Sequence, residues 1–461
     1  MAKVFPFRAF RYNPAHAPFE LVLTQPYDKI SPAMQDKYYE ANPHNLITLE
    51  KGRVYPTDAP ENNVYTRAAA AIQEWIRSGI VAQDPAASFY AYTQEYAVPG
   101  SNQRKTRRGF IGVGQLEEYS AGVIYRHEHT LSGPKADRLE LLRHTQISTG
   151  QLFLIYSDAQ KRVDAILHDA EASSAPATEM TEEYGVIHRL WVISEPERVK
   201  AIAQAMGDQK LVIADGHHRY ETALNYRNER RARAGQIIPE APYERAMMTF
   251  INTTGEGLTI LPTHRVLSKL RDFNWADLRR HLEPWFEAET IAFADDDDSD
   301  KAKARGHFLQ KLSAARSRRA IGVYPADKQK RAFYVLTLRS GVDLSRLLPS
   351  VSPLQRELDV VLLHEGILEP GLGITPQSVT AEANITYERD ASAAFDAVDS
   401  GSAQISFLLN PCDVEQVIKI ATAGEVMPQK STDFYPKLMS GITMYSVYGS
   451  GADVSAVNIA P

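Results

Sequence analysis

The sequence contains a single cysteine, Cys412, among 461 residues. One cysteine excludes an intramolecular disulfide, a cysteine-based structural zinc site and a CxxC redox motif. No stretch reaches the roughly 18 consecutive apolar residues of a membrane span, and the first residues lack the apolar core of a signal peptide. For a chain of this length, these absences predict a cytoplasmic protein that does not cross a membrane.

An excess of positive charge is also absent. The 51 Lys and Arg residues face 57 Asp and Glu, which gives a formal net charge of −6. This balance, with no clear helix-turn-helix, disfavours a protein that coats nucleic acid. The length predicts two or three domains, and a change in composition near residue 268 divides a domain of residues 1–268 from one of residues 269–461.

Several common site motifs are missing as well. The Gly-x-x-x-x-Gly-Lys frame of a phosphate loop does not occur, and no GxGxxG follows a strand at the required place. The HExxH spacing of a zinc peptidase and the GxSxG elbow of a serine hydrolase are absent too. The chemistry therefore has to be sought in less common patterns.

The periodicity of apolar residues predicts a mixed α/β fold. A strand over 190–193, a helix over 198–206 and a strand over 210–214 form the strand-helix-strand unit that builds α/β layers. The same periodicity predicts a strand over residues 19–24 and one long helix over residues 354–365.

The most specific pattern is Ile213-Ala214-Asp215-Gly216-His217-His218-Arg219-Tyr220-Glu221. An apolar strand ends at Asp215, a glycine permits a sharp turn, and a helix follows whose first N–H groups can hold a phosphate. His217, His218 and Arg219 add donors at the same point, and the two histidines are also candidate catalytic residues. Asp215 is the candidate to hold Mg²⁺ or to accept a hydroxyl proton. The alternative is an aspartate N-cap followed by two surface histidines.

A second cluster spans Tyr125-Arg126-His127-Glu128-His129-Thr130 and continues to Lys135 and Arg138. His127 and His129 share one face of a predicted strand and could ligate a metal, although nothing fixes a third ligand. Anion binding by the basic residues, with His129 as a further donor, fits equally well. A polar loop beside a half-exposed strand is the third interpretation.

Two further groups of residues are candidates for the same pocket. His264 and Arg265 directly follow an apolar strand, where α/β proteins place functional side chains. The extended segment 424–437 offers Lys430, Ser431 and Thr432 as ligands for a phosphate-bearing cofactor. We expect the pocket to collect a set of strand-end residues around 217–219, namely His129, Lys135, Arg138, His264 and Arg265.

On these motifs the chain resembles a bacterial and archaeal family known as domain of unknown function number 1015. The matching segments are, in order, QPYD at 25–28, YRHEHT at 125–130, PKADR at 134–138, ADGHHRYETA at 214–223, LPTHR at 261–265 and MPQKST at 427–432. The family label by itself implies no function.

The Asp215–Arg219 segment is also similar to a box shared by the ParB/sulfiredoxin-like superfamily, which includes the free serine kinases. That resemblance implies a ParB/sulfiredoxin-like core in the N-terminal half, followed by an additional α/β region. It implies a metal-binding or catalytic role for Asp215 and phosphate binding by residues 216–219. Asp28 and Glu128, placed at predicted strand ends, are the candidates for a separate catalytic acid.

The leading hypothesis is a phosphotransferase that acts on a small hydroxyl substrate, with free L-serine as the first choice, a nucleotide such as ATP or ADP as donor, and Mg²⁺. Two alternatives stay open: a hydrolase of small phosphoesters such as phosphoserine, and a ParB-like module that binds CTP or ATP and changes partners. Residue types do not separate the kinase from the hydrolase, because both stabilise similar transition-state charge. Association with further copies of the chain is left open.

Overall fold

The structure is a computed structural model that describes residues 1–128, 132–294, 298–327, 331–380 and 383–448, with the side chains of 132–134 and 380 left outside the description. Contacts divide the chain into two compact units. The first unit holds residues 1–259 together with the segment from Pro436 onward, and the second holds residues 260–435. Among the described residues, no helix combines the length and apolarity needed to cross a membrane.

The strands are short to medium in length and are numbered along the chain. They are β1 Val4–Phe5, β2 Phe10–Tyr12, β3 Val81–Gln83, β4 Phe89–Ala97, β5 Arg104–Gln115, β6 Ile124–Tyr125, β7 Ile147–Ser148, β8 Leu152–Tyr156, β9 Thr178–Thr181, β10 Ile187–Ile193, β11 Leu211–Asp215, β12 Arg245–Asn252, β13 Thr259–Leu261, β14 His264–Leu267, β15 Phe286–Ala292, β16 Ile321–Pro325, β17 Ala332–Leu338, β18 Ile385–Glu388, β19 Ile405–Leu409, β20 Asp433–Tyr435 and β21 Tyr445–Ser446.

The α-helices are numbered in the same way. They are α1 Phe19–Val22, α2 Pro32–Ala41, α3 Ile47–Glu50, α4 Val64–Arg77, α5 Ser132–Thr145, α6 Arg162–Ser173, α7 Pro196–Met206, α8 His217–Ala234, α9 Trp275–Leu282, α10 Asp298–Ala314, α11 Leu344–Leu347, α12 Asp359–Leu363, α13 Glu369–Leu372, α14 Pro376–Thr380, α15 Ala391–Asp399 and α16 Val414–Thr422. The mixed α/β class predicted from the sequence is confirmed.

The first unit is built on a mixed sheet of nine strands within the described residues, in the order β6-β11-β8-β12-β5-β4-β10-β9, with β1 beside β5. β11 runs parallel to β6 and antiparallel to β8, while β12 runs parallel to β8. Its core stacks aromatic rings, and Phe110 lies 4.9 Å from Phe250 between ring centroids. Burying such rings is a large part of what stabilises the sheet.

The segment after residue 435 returns to the first unit, a connection that the sequence did not predict. β21 pairs with β7, and backbone N–H groups of Ser440, Gly441 and Met444 donate to carbonyls of the first unit. Because these hydrogen bonds reach three separate parts of the first unit, the returning segment is an integral part of it.

The second unit has its own antiparallel sheet, in the order β15-β17-β16-β19-β14-β18. Helices α10 and α15 contact this sheet, and Phe308, Phe333 and Phe395 form the centre of its core. A separate hydrophobic core for each unit agrees with the division of the chain by contacts.

Two predicted elements were wrong. Residues 19–24 were predicted as a strand, but Phe19–Val22 form helix α1 directly after Pro18, because a run of four apolar-rich residues suits either structure. The long helix predicted over 354–365 is broken at Leu358, whose backbone is extended. Asp359 then begins the new helix α12.

Candidate functional site

The junction of β11 and α8 has the predicted strand, turn and helix. β11 ends at Asp215, Gly216 has a φ of +96°, and α8 begins at His217. A β carbon at Gly216 would lie 3.1 Å from Leu152 Cδ2, so both the backbone angle and the space favour glycine. No side chain caps α8, which leaves the positive end of the helix dipole unneutralised by a capping side chain. This prediction is confirmed.

A β-bulge precedes the turn. The register of β11 against β8 shifts between Ile213 and Asp215, so that Asp215 lies opposite Phe153. Bulges redirect side chains and are common beside active sites. The shift therefore sets the direction in which the Asp215 carboxylate leaves the strand.

Asp215 lies between two cations. Lys437 Nζ is 3.5 Å from Asp215 Oδ1, and Arg219 Nη2 is 3.3 Å from Asp215 Oδ2. Burial acts to raise the pKa of Asp215, but the charges of Lys437 and then Arg219 outweigh it, and the pKa falls below the usual value. Asp215 is therefore an ionised carboxylate at neutral pH.

A second carboxylate, Asp28, belongs to the same group of charges. It lies in the 3₁₀ turn Tyr27–Lys29 and reaches solvent, although protein atoms surround much of its carboxylate. This burial, and next the negative charge of Asp215, raise the pKa of Asp28 against the opposing charges of Arg219 and Lys437. Two neighbouring carboxylates with opposite pKa shifts are suited to different roles, one exchanging a proton and the other keeping its charge.

Buried polar groups of the sheet hold the backbone that carries Lys437. Gln94 Nε2 donates to the Lys437 carbonyl at 2.8 Å, and the Arg107 guanidinium donates to the carbonyl of Pro436 and, at 3.0 Å, to Gln94 Oε1. Burial lowers the pKa of Arg107 to about 10. A fixed backbone reduces the conformational freedom that Lys437 loses when it pairs with Asp215.

The turn that carries Asp28 is held by Tyr27, Glu50 and Arg138. Glu50 Oε1 accepts a hydrogen bond from the Tyr27 N–H at 3.2 Å, and its Oε2 accepts one from Thr149 Oγ1 at 2.6 Å. Arg138 donates to the Glu50 carbonyl at 2.7 Å and lies 4.3 Å from the centre of the Tyr27 ring. Arg138, predicted as a ligand-binding residue, is thus beside this turn.

The two histidines nearest the turn are buried and neutral. His127 Nδ1 lies 2.7 Å from the Ile213 carbonyl, and its ring packs edge-on against His217 with 4.7 Å between centroids. Burial lowers the pKa of His127 to about 4 and that of His217 well below its usual value, with a further contribution to His217 from His127. His217 is therefore uncharged at neutral pH, and its predicted role as a phosphate donor stays a prediction. A catalytic role for the neutral ring, and for the half-exposed His218, stays a prediction.

A pocket with a cavity volume of about 70 Å³ adjoins this group and is lined by residues of the first unit. Tyr27, Glu50, Arg138 and Arg219 form its polar wall. Its apolar wall comes from a set of aliphatic side chains: Leu141, Leu142, Ile147, Met247 and Val447. A pocket with a cationic end and an apolar body has the character of a small-molecule site.

The remaining predicted residues of the first unit are less directly involved. Lys135 Nζ pairs with Glu221 at 2.8 Å, which ties α5 to α8. Glu128 is half-buried and directly precedes residues outside the description, and His129 is one of those residues. The ligand-binding and catalytic roles predicted for these three residues stay predictions.

The other predicted residues belong to the second unit. His264 is buried, its Nδ1 accepts from the Leu409 N–H at 3.3 Å, and burial lowers its pKa to about 4. Arg265 is 1% exposed and donates to the Lys430 carbonyl at 3.2 Å. Ser431 is buried, whereas Lys430 is exposed and Thr432 half-buried. Their convergence with residues 217–219 on one pocket stays a prediction.

Lys437, Glu50 and Arg107 were missed by the sequence analysis. Lys437 ends the segment 424–437, and it is a single lysine without a pattern that would link it to Asp215. Glu50 follows the apolar stretch 46–49, and a lone acid after an apolar stretch was the only available signal. Among the residues the structure describes, no group of three or more His, Cys, Asp or Glu could hold a metal ion by itself.

A model of the family described as "Protein of unknown function (DUF1015)" matches residues 4–361. The chain belongs to this family. The match includes the turn with Asp28 and the Asp215–Arg219 box, while Lys437 lies beyond it. No curated protein matches this DUF1015 chain.

Solved structures show a distant similarity to this DUF1015 protein. A free serine kinase in complex with AMP is 12% identical, with a TM-score of 0.33 and coverage of 71% of this chain and 88% of that one. SbnI from Staphylococcus aureus is 10% identical, with a TM-score of 0.31 and coverage of 76% and 90%. A conserved hypothetical protein from Pyrococcus furiosus is 14% identical, with a TM-score of 0.30 and coverage of 68% and 87%. At these values, no residue role passes from them to this chain.

Proposed function

We propose that this protein is a phosphotransferase that moves the terminal phosphoryl group of a nucleotide to a small hydroxyl compound, with L-serine as the first candidate substrate. The observation that carries the proposal is the pair Asp28 and Asp215, whose pKa values are shifted in opposite directions beside Arg219 and Lys437. Phosphoryl transfer needs correct placement and charge neutralisation more than covalent chemistry, and these four side chains supply both.

Asp28 is the group suited to receive the proton. Its raised pKa makes it a better base than an ordinary surface aspartate, and it keeps contact with solvent. In the proposed step the substrate hydroxyl oxygen forms a bond to phosphorus, the bond from phosphorus to the leaving nucleotide oxygen breaks, and the hydroxyl proton passes to Asp28. The leaving group is the nucleotide shortened by one phosphate.

The donor phosphates are assigned to the beginning of α8. Arg219 provides a guanidinium that is 14% exposed, Lys437 an ammonium that is 11% exposed, and the uncapped helix the positive end of its dipole. Both cations pair with Asp215 in the structure, so an incoming phosphate shares them with that carboxylate. The apolar wall of the adjoining pocket suits a nucleobase.

Mg²⁺ fits this arrangement. A protein commonly holds Mg²⁺ through one or two carboxylates plus substrate phosphates, so a cluster of three protein ligands is not required. Asp215, with Asp28 beside it, provides the carboxylate oxygens, and the ion supplies charge neutralisation on the phosphates when bound. Asp215 keeps its charge at neutral pH, as a metal ligand must.

The test is transfer of labelled phosphate from ATP, ADP or pyrophosphate to serine, threonine and related hydroxy compounds, with and without Mg²⁺. Asp215→Asn is expected to abolish turnover while largely sparing nucleotide affinity. Asp28→Asn is expected to lower the turnover rate by about 100- to 10,000-fold, the usual contribution of a general base. Asp36→Asn is the control, because Asp36 is an exposed aspartate paired with Arg53.

Two other outcomes would replace the proposal. Release of phosphate from phosphoserine without nucleotide would indicate a hydrolase, since the same groups can activate water. Nucleotide binding without turnover would indicate a regulatory module. Wild-type protein that binds no nucleotide would exclude both the kinase and the nucleotide-binding module.

A further inference from the structure

A second pocket, with a cavity volume of about 500 Å³, is lined by residues of the second unit. Its polar wall includes the guanidinium groups of Arg265, Arg316 and Arg319 and the hydroxyl of Ser431. The phosphotransfer proposed above uses none of these groups. Three arginines on the wall of one pocket raise the question of which ligand they bind.

Arg319 has a donor without an acceptor. Its Nε pairs with Asp359 and its Nη1 donates to the Arg356 carbonyl at 3.0 Å, but its buried Nη2 has no hydrogen-bond partner among the described residues. Buried donors are nearly always satisfied, so an exception on a pocket wall indicates a partner that comes from outside the chain.

The backbone of Arg319 supports the same conclusion. Its φ is +57° and its ψ is 53°, a left-handed conformation that glycine adopts most easily and other residues adopt at a cost. An arginine at such a position places its guanidinium in a direction that a regular turn does not provide.

The acidic residues on the wall do not repel an anion. Asp359 pairs with Arg319, Asp413 pairs with Arg316 at 2.6 Å, and Glu357 pairs with Lys419 at 2.8 Å. Each of the three lining carboxylates therefore already has a cation beside it. An entering anion meets balanced charges at these points.

Arg265 adds a further positive charge to the wall. It is 1% exposed and donates to the Lys430 carbonyl and, at 3.1 Å, to His364 Nε2. Because a histidine nitrogen that accepts a hydrogen bond is unprotonated, His364 is neutral, and burial lowers its pKa to about 3. These acceptors fix the position of the guanidinium on the pocket wall.

We infer that this pocket is a binding site for the oxyanion group of a small metabolite, a phosphate or a carboxylate, with the guanidinium groups of Arg316 and Arg319 on its wall as the donors. Arginine matches both groups because its planar N–H donors align with paired oxygens. The Arg316 guanidinium has five N–H donors, more than its contacts with Asp413 and the Pro411 carbonyl use. The inference does not depend on the phosphotransferase activity.

The experiment uses inorganic phosphate and the full chain. Cys412 lines the same pocket and is the sole cysteine, so its alkylation reports on this pocket. Because burial raises the pKa of the Cys412 thiol to about 12, the thiol reagent is used in large excess and at clearly alkaline pH. Phosphate is expected to slow alkylation of the wild type. Arg319→Gln is expected to raise the half-protecting phosphate concentration about tenfold or more, because one charge-assisted contact is lost. Calorimetric titration of the same proteins gives the affinities without requiring access to the thiol.

Arg318→Gln is the matched control, because Arg318 belongs to the same turn but is 55% exposed and pairs with Glu287. It is expected to behave as the wild type does. If Arg319→Gln fails to fold, Arg316→Gln replaces it, since Arg316 is 41% exposed and its removal spares the core. Arg316→Gln is likewise expected to weaken phosphate binding.

The outcomes separate the possible ligands. Protection by phosphate supports a phosphate group, and protection by citrate alone supports a carboxylate group, both within the proposed class. If neither anion protects the wild type or binds by calorimetry, the inference is wrong. Asp215→Asn should leave the protection of Cys412 by phosphate unchanged. If this variant loses the protection, the anion binds to the first unit instead.

Discussion

A buried arginine has different partners in the two units. In the first unit Arg219 is 14% exposed and pairs with the carboxylate of Asp215. In the second unit Arg265 is 1% exposed and donates to backbone carbonyls and a neutral histidine. The first arginine can exchange an anionic partner with solvent, whereas the second is enclosed by acceptors that belong to the fold.

This difference distinguishes an arginine that can bind a ligand from an arginine that stabilises the fold. A carboxylate partner can share its arginine with a phosphate at moderate cost, because both partners stay near water. Carbonyl and imidazole acceptors inside a core have no alternative donor, so removing their arginine leaves them unsatisfied. Substitution of Arg219 should therefore affect mainly ligand binding, and substitution of Arg265 mainly stability.

The largest expected effect is on the stability of the second unit. Arg265→Met should lower the free energy of unfolding by about 3 kcal/mol or more, since several buried acceptors lose their donor together. Urea unfolding followed by tryptophan fluorescence measures it, and Arg318→Met at an exposed position is the control. A loss below about 1 kcal/mol would contradict the view of Arg265 as a structural support.

The next effect is on ligand binding in the first unit. Arg219→Ala should weaken nucleotide binding about 10- to 150-fold, the equivalent of a charge-assisted contact of roughly 1.5 to 3 kcal/mol. The fold should persist, because the apolar strand β11 before the turn is unchanged. Calorimetric titration with ATP and ADP measures the affinity, and a circular dichroism spectrum checks the fold. An unchanged affinity for ATP and ADP would show that Arg219 does not belong to the nucleotide-binding site.

Asp28 gives a smaller effect with a defined pH dependence. Its raised pKa means that the folded protein binds this proton more readily than the unfolded chain, so Asp28 destabilises the fold once the pH rises above its folded pKa. Asp28→Asn should therefore stabilise the protein at pH 7 by no more than about 1 kcal/mol, since solvent screens part of the effect. The difference should vanish below about pH 3, where the aspartate is protonated in both states. Thermal unfolding across this pH range measures the difference in stability between Asp28→Asn and the wild type. If Asp28→Asn destabilises the protein at pH 7, the prediction is wrong.

The smallest effect concerns Lys437. The charge of Lys437 helps to lower the pKa of Asp215 in the folded protein. An aspartate with a lowered pKa stabilises the fold at pH values above its unfolded pKa, and this stabilisation is lost as the pH falls through the folded pKa. Lys437→Met should cost on the order of 1 kcal/mol at pH 7 and less at pH 3. Lys430→Met, at an exposed position of the second unit, is the matched control. An equal cost at both pH values would show that the loss comes from packing and not from charge.

Local patterns were predictable from the sequence, and long-range partners were not. The apolar run 211–214 followed by Gly216 specifies a strand and a turn through backbone preferences that act over a few residues, and this element was confirmed. Asp28 was selected as a candidate for its place near a strand end. The structure puts it in a 3₁₀ turn within the electrostatic influence of Asp215. Which of several candidate acids meets Asp215 depends on the packing of the whole unit.

The missed residues show where local reasoning ends. Lys437 is far from Asp215 along the chain, and its position depends on hydrogen bonds from Gln94 and Arg107 to the backbone beside it. The break at Leu358 was missed because the apolar residues on both sides of it continue a helical pattern, although the backbone at Leu358 is extended. The position of Lys437 is determined by contacts between distant residues, and a single sequence does not reveal them.

The late position of Lys437 has a consequence for how the protein is made. A ribosome releases β11 and the start of α8 well before it has synthesised the segment that returns to the first unit. At roughly 5 to 20 residues per second, the interval between Arg219 and Lys437 takes about 10 to 40 s. During that time the nascent first unit has Asp28, Asp215 and Arg219 without the lysine that balances their charge. The complete group of charges arises only after Lys437 has been synthesised.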